Sequence, residues 1–128
     1  MRDVYIVGVG MTRFGKFLET SVKQLAAEAA VSALEDAGVG PGELEFAAVG
    51  NSGWWAYQGQ LAIRGQVVLR PLGIGGIPLV NVENACACAS TALHNAWLYV
   101  ASGRCDLALA VGMEKLYHPE KHWVMQSL

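Results

Sequence analysis

At 128 residues the chain fits one domain, and a chain near 150 residues buries about two thirds of its unfolded surface, enough for a real core. Hydrophobic residues make up 53% of it and charged residues 16%, against a usual charged share of roughly 25%, so part of its apolar surface is expected to be covered by something beyond itself. The net charge is -2 and the nine basic residues are spread singly from Arg2 to Lys121, which leaves no footprint for nucleic acid or an anionic membrane surface.

The first expected element is a strand, Val4 to Val9 (VYIVGV), a β-branched run punctuated by glycine. Asp3 ahead of it and Gly8 and Gly10 interrupting it make a poor secretory leader. Cys86 and Cys88 are too close in sequence to pair, and three cysteines is an odd number. A cytoplasmic protein with reduced thiols is therefore expected. Gly8-Val-Gly10 after a strand suggests a dinucleotide loop, but no helix opens behind it and the third glycine falls at Gly15, so no Rossmann cofactor is expected.

Ser21 with Gln24 forms a capping box, Val22, Leu25, Ala26, Ala29, Ala33 and Leu34 keep helical spacing, and Gly38 supplies the stop. Pro41 and Gly42 then turn the chain into a short strand, Phe46 to Val49, ending at Gly50 and Asn51. A glycine and aromatic loop follows, with Trp54, Trp55 and Tyr57 placed to line an apolar tunnel, dock a partner or simply pack. Gln60 to Leu69 reads as a second helix, stopped by Pro71 and the glycines 73, 75 and 76.

Pro78 to Val82 reads as a third strand, Cys86 to Ser102 as a long helix and Leu107 to Val111 as a fourth strand. Asn84 to Gly103 is twenty residues without a charge, long enough for a bilayer. Its polar residues, among them Asn84, Ser90, His94 and Asn95, argue instead for a helix buried on nearly all sides, with Trp97 and Tyr99 in the core. The alternation of strands and helices predicts a mostly parallel sheet with helices on both faces and right-handed crossovers. From His118 onward the pattern dissolves.

Chemistry concentrates in Val80 to Leu93, VNVENACACASTAL, where a strand runs through a turn into a helix with Cys86 at its start. Free backbone N–H groups and the helix dipole favour thiolate at such a place, and thiolate is the attacking species. Small neighbours, Ala85, Ala87 and Ala89, leave room for an acyl group. Two readings stay open on the residues alone, a nucleophile or a buried cysteine acting as a small hydrophobe. His94 lies about two turns beyond Cys86, too far along the axis to serve as its base, and reads as a core histidine. Cys86, Cys88 and Cys105 with His94, His118 and His122 lack the paired spacing of a zinc site, so no metal is expected.

VNVENACACASTAL resembles the nucleophile segment of the thiolase superfamily, in particular its sterol-carrier-protein-type branch, where Cys-Ala-(Ser/Thr)-Gly-Ser opens the helix. VYIVGVGMTRFGKF, the helix ending ALEDAGV, and DLALAVGMEKL resemble further family segments in the same order. The resemblance implies an α/β fold, the N-terminal half of a thiolase-like architecture with a buried central helix. Residues 1–117 would be the domain and 118–128 the start of a loop region in a longer chain. It implies Cys86 as the acyl-thioester nucleophile, its backbone N–H contributing to an oxyanion hole. Cys88 falls where the family has Ser or Thr, and Ala89 where it usually has Gly.

The activating histidine, the second cysteine and the CoA-binding region of family enzymes lie downstream of the matched segments. The implied activity is Claisen condensation, or thiolytic cleavage of 3-ketoacyl-CoA, with a coenzyme A thioester as substrate and no separate cofactor. The resemblance also implies a homodimer paired through the strand Pro78 to Val82. Two alternatives stand beside this: a non-catalytic subunit of an acyl- or steroid-CoA processing complex, and a thiolase-like aldolase.

Overall fold

The computed structural model describes residues 1–119. Seven regular elements follow one another: α1 (Val22–Ala37), β1 (Phe46–Gly50), α2 (Trp54–Gln58), α3 (Arg64–Leu69), β2 (Leu79–Val82), α4 (Cys88–Ala101) and β3 (Ala108–Gly112). The three strands form one parallel sheet in the order β2-β1-β3, with Ala48 of β1 level with Val80 on one side and Ala110 on the other. The central strand is buried at all five positions. Its continuous apolar run reflects cover on both faces, as parallel sheets require.

Alternation along β1 divides the core in two. Ala47 and Val49 pack with Val22, Ala26, Ala30 and Leu34 of α1 and with Val68 and Leu69 of α3. Phe46 and Ala48 face the other way, onto Ala92 and Ala96 of α4. Phe46 also stacks on Tyr99 with ring centroids 3.7 Å apart. Helices therefore cover both faces of the parallel sheet, as the alternation predicts.

Helix α1 forms where its caps place it. Ser21 accepts the Gln24 N–H at 3.2 Å, the Gln24 side chain accepts the Ser21 N–H at 2.8 Å, and Gly38 ends the helix at φ 67. Such a cap is worth about 1 kcal/mol.

Val4 to Val9 does not form the expected strand. It has no strand partner, and Tyr5, Ile6, Val7 and Val9 stay exposed. The segment lies on α1 instead of at an edge of the sheet. β-carbons on Gly8 and Gly10 would overlap the α1 backbone at Ala29, Ala33 and Ala37. The Val9 N–H donates to the Asp36 carboxylate at 2.9 Å, and the Arg2 N–H donates to the Ala101 carbonyl at 3.0 Å. The glycine pair that resembles a cofactor loop is thus the contact surface for a helix.

The region between β1 and β2 also departs from expectation. Trp54–Gln58, read as loop, makes the short α2, closed by Gly59 at φ 76. The next helix begins at Arg64 rather than Gln60, because Ile63 takes a left-handed conformation at φ 48 that no helix can contain. Trp54 is buried while Trp55 is exposed.

Helix α4 buries one face only. Cys88, Ala92, Ala96 and Ala101 are buried, whereas Leu93, Trp97 and Leu98 are exposed. A stripe of small residues spaced four or five apart lets the helix lie close to the sheet, and no described residue covers its other side. Trp97 and His94 are accordingly not core residues: both are exposed and stack on each other at 5.6 Å. Among the described residues, no helix is long and apolar enough to cross a membrane. His122 and the rest of 120–128, the greater part of the expected loop region, lie outside the described residues.

Candidate functional site

The carboxyl ends of the three strands converge at Gly50, Val82 and Gly112, the end of a parallel sheet where α/β proteins place their sites. Beyond Val82 the chain runs through Glu83 and Asn84 into a 3-10 turn, Ala85–Ala87, and only then into α4. Cys86 sits on that turn, two residues ahead of the helix in which the sequence placed it. The turn begins with Ala85 at φ 45, a conformation that costs a residue with a β-carbon roughly 1–3 kcal/mol. It closes with the Ala87 N–H donating to the Asn84 carbonyl at 2.9 Å.

The three cysteines differ sharply in environment. Cys86 is exposed, and Cys88 and Cys105 are buried. The Cys88 sulfur accepts the Asn84 N–H at 3.0 Å, while the Asn84 side chain donates to the Thr91 hydroxyl at 2.9 Å. Cys88 thus helps to fasten the turn to the first turn of α4. Burial, and next the nearby Glu45 carboxylate, push the Cys105 thiol above its ordinary pKa. The Cys86 N–H donates to no group among the described residues. Thiol and N–H therefore stand together at the mouth of the sheet.

Glycines let α4 start this close to the strand ends. A β-carbon on Gly50 would lie 3.0 Å from the Ala89 nitrogen and overlap the Cys88 carbonyl, and one on Gly112 would overlap the Ala89 methyl. The Ala89 methyl therefore lies against Gly112, whose lack of a side chain accommodates it.

Polar contacts then tie the loop after β1 to both neighbouring strands. Asn51 is the one buried polar side chain among the described residues. Its amide donates to the Met113 carbonyl at 2.9 Å and to Glu114 at 3.2 Å, and its oxygen accepts the Trp54 N–H at 3.1 Å. Glu114 in turn accepts the N–H groups of Ser52 and Gly53 at 3.0 and 3.1 Å. Arg64 donates to the Asn51 carbonyl at 2.6 Å. On the other side Glu83 accepts the Ser52 hydroxyl at 3.2 Å and the Ala85 N–H at 2.8 Å. Hydrogen bonds from Ala85 first, then Ser52, hold the Glu83 carboxyl below its ordinary pKa.

Sequence reasoning singled out Cys86 but not Asn51, Ser52 or Glu83. Asn51 directly after a strand-ending glycine was the available signal; Glu83 carried none, since its partner is a backbone N–H two residues on. His94 lies inside α4, eight residues beyond Cys86, which sits ahead of that helix; its side chain is exposed and stacks on Trp97.

A family described as "Thiolase, N-terminal domain" matches residues 4–126. Acetyl-CoA acetyltransferase of Methanocaldococcus jannaschii is 41% identical over 116 residues, covering 91% of this chain and 29% of that protein. Sterol carrier protein 2 of Gallus gallus is 42% identical over 117 residues, covering 90% of this chain and 20% of its own length. The chain thus spans less than a third of the curated relatives it matches. Among solved structures, acetyl-CoA acetyltransferase from Syntrophomonas wolfei superposes with a TM-score of 0.71 at 22% identity, over 81% of this chain and 27% of that one; at that identity the likeness speaks for the fold.

Proposed function

Because the chain belongs to the thiolase N-terminal domain family, we propose that it supplies the acyl-accepting cysteine, Cys86, of an acyl-CoA acyltransferase. The observation that carries this reading is the contrast among the three thiols: Cys86 alone is exposed, on a turn where α4 begins against the strand ends. The name shared by two of its relatives, acetyl-CoA acetyltransferase, supports the same class.

In this reading the Cys86 thiolate attacks the carbonyl carbon of an acyl-CoA. The Cys86 N–H, which has no other partner among the described residues, donates to the oxyanion that forms. Collapse expels the coenzyme A thiolate, which takes a proton, and leaves the acyl group as a thioester on Cys86. A second acyl-CoA, deprotonated at its α-carbon, then attacks that thioester and frees Cys86, giving a 3-ketoacyl-CoA; thiolysis is the same path reversed. The groups that move protons to and from Cys86 belong to the part of family enzymes that follows the matched segment.

Strand β2 pairs with β1 on one side only, and Val80 on it is 37% exposed. That open edge supports a homodimer joined through Pro78 to Val82.

The test is thiolysis of acetoacetyl-CoA by the natural gene product that carries this chain. Cleavage in the presence of coenzyme A, abolished by Cys86→Ala and retained in Cys88→Ala, is the expected result. Equal cleavage by wild type and Cys86→Ala would overturn the reading.

A further inference from the structure

Ala85 and Ile63 are the two non-glycine residues at positive φ among the described residues, and Ala85 immediately precedes the reactive turn position. A residue with a β-carbon keeps such a backbone only when its surroundings fix it. The Glu83 Oε1 accepts the Ala85 N–H at 2.8 Å, closing a clasp across the residue between them. The same oxygen accepts the Ser52 hydroxyl at 3.2 Å, and the Ser52 N–H is itself held by Glu114 at 3.0 Å. The clasp is thereby anchored to the loop after β1 and, through it, to the end of β3. These hydrogen bonds also keep the Glu83 carboxyl below its ordinary pKa.

We propose that Glu83 is the positioning residue of the Cys86 turn: by accepting the Ala85 N–H it fixes the left-handed backbone at Ala85, and so the direction in which Cys86 leaves the sheet. The inference rests on the reading of Cys86 as the acyl acceptor. Glu83 touches no reacting atom in this role and acts only through the backbone of Ala85. Its charge is dispensable, since an amide oxygen accepts the same N–H. Its function is also bypassed when residue 85 is glycine, for which φ near 45 carries no steric cost.

The experiment compares Glu83→Gln, Glu83→Ala, Ala85→Gly and the Glu83→Ala/Ala85→Gly double variant in the full gene product. Two readouts are taken: amide hydrogen exchange of the segment 83–88 by mass spectrometry, and the rate and KM of Cys86 acetylation by acetyl-CoA. Glu83→Ala is expected to speed exchange and to slow acetylation about 10- to 100-fold with KM for acetyl-CoA unchanged. Glu83→Gln is expected to stay near wild type in both readouts. The double variant is expected to lose less acetylation, relative to Ala85→Gly, than Glu83→Ala loses relative to wild type. Should Glu83→Ala fail to fold, Glu83→Asp takes its place, since its shorter side chain withdraws the acceptor from Ala85.

Glu83→Gln as impaired as Glu83→Ala, or no effect of Glu83→Ala on exchange, would overturn the proposal. So would faster exchange without slower acetylation, or an equal loss in both residue-85 backgrounds. If wild-type protein takes no acetyl group, the reading of Cys86 fails on its own, and the exchange comparison still decides whether Glu83 holds the turn.

Discussion

The methyl of Ala89 fills the space above Gly112 that a side chain there would need: a β-carbon on Gly112 would overlap the Ala89 β-carbon and stand 3.2 Å from its Cα. Gly112→Ala should therefore lower stability by about 1–3 kcal/mol, the usual cost of overpacking. Ala89→Gly alone should cost about 0.5–1 kcal/mol through backbone entropy. The pair should be strongly non-additive, the double variant recovering most of the Gly112→Ala loss. Urea unfolding of the four proteins measures this.

The burial contrast among the thiols predicts an order of chemical modification. Under native conditions iodoacetamide should label Cys86 first, with Cys88 and Cys105 labelled only as the protein unfolds. Peptide mapping by mass spectrometry at increasing urea reads the order directly. Early labelling of Cys88 would contradict the placement of its sulfur against the Asn84 N–H.

Asn51 joins three segments through one buried side chain. Asn51→Ala strands the Met113 carbonyl and the Trp54 N–H, and should cost about 2–3 kcal/mol in urea unfolding, the range for leaving buried partners unsatisfied. Asn51→Asp keeps the acceptor for Trp54 but loses the donor and adds a charge beside Glu114, so it should be at least as damaging at neutral pH.

The raised pKa of Cys105 makes stability pH-dependent on the alkaline side. The folded state keeps this thiol protonated at a higher pH than the unfolded chain does, so its contribution is complete below the ordinary value of 9.0 and lost as pH rises through the folded value. Urea midpoints of the wild type should fall above about pH 9. Cys105→Ala should start lower and lose less over the same range.

Much of this fold was readable because it follows local rules. The Ser21–Gln24 capping box, the Gly38 stop and the three strand cores at Phe46, Leu79 and Ala108 appear where spacing places them. Val4 to Val9 misled because a β-branched run reports the wish to be buried in a sheet, not which neighbour it meets, and here Gly8 and Gly10 seat the segment on α1. Helix α4 misled in the same way: its lack of charge was read as burial on nearly all sides, yet Leu93, Trp97 and Leu98 face outward beyond what these residues cover. At the site, Cys86 could be picked out from its segment. The Glu83–Ala85 clasp could not, because it depends on one backbone dihedral that composition and periodicity do not encode.

The most direct measurement of the central claim is the intact mass of the natural gene product after incubation with acetyl-CoA, followed by mapping of the modified peptide. The account predicts one acetyl group on Cys86, absent from Cys86→Ala and present on Cys88→Ala. A folded gene product that turns over acyl-CoA substrates with no acyl group on Cys86 would contradict it, and would favour a thiolase-like reaction without a cysteine intermediate.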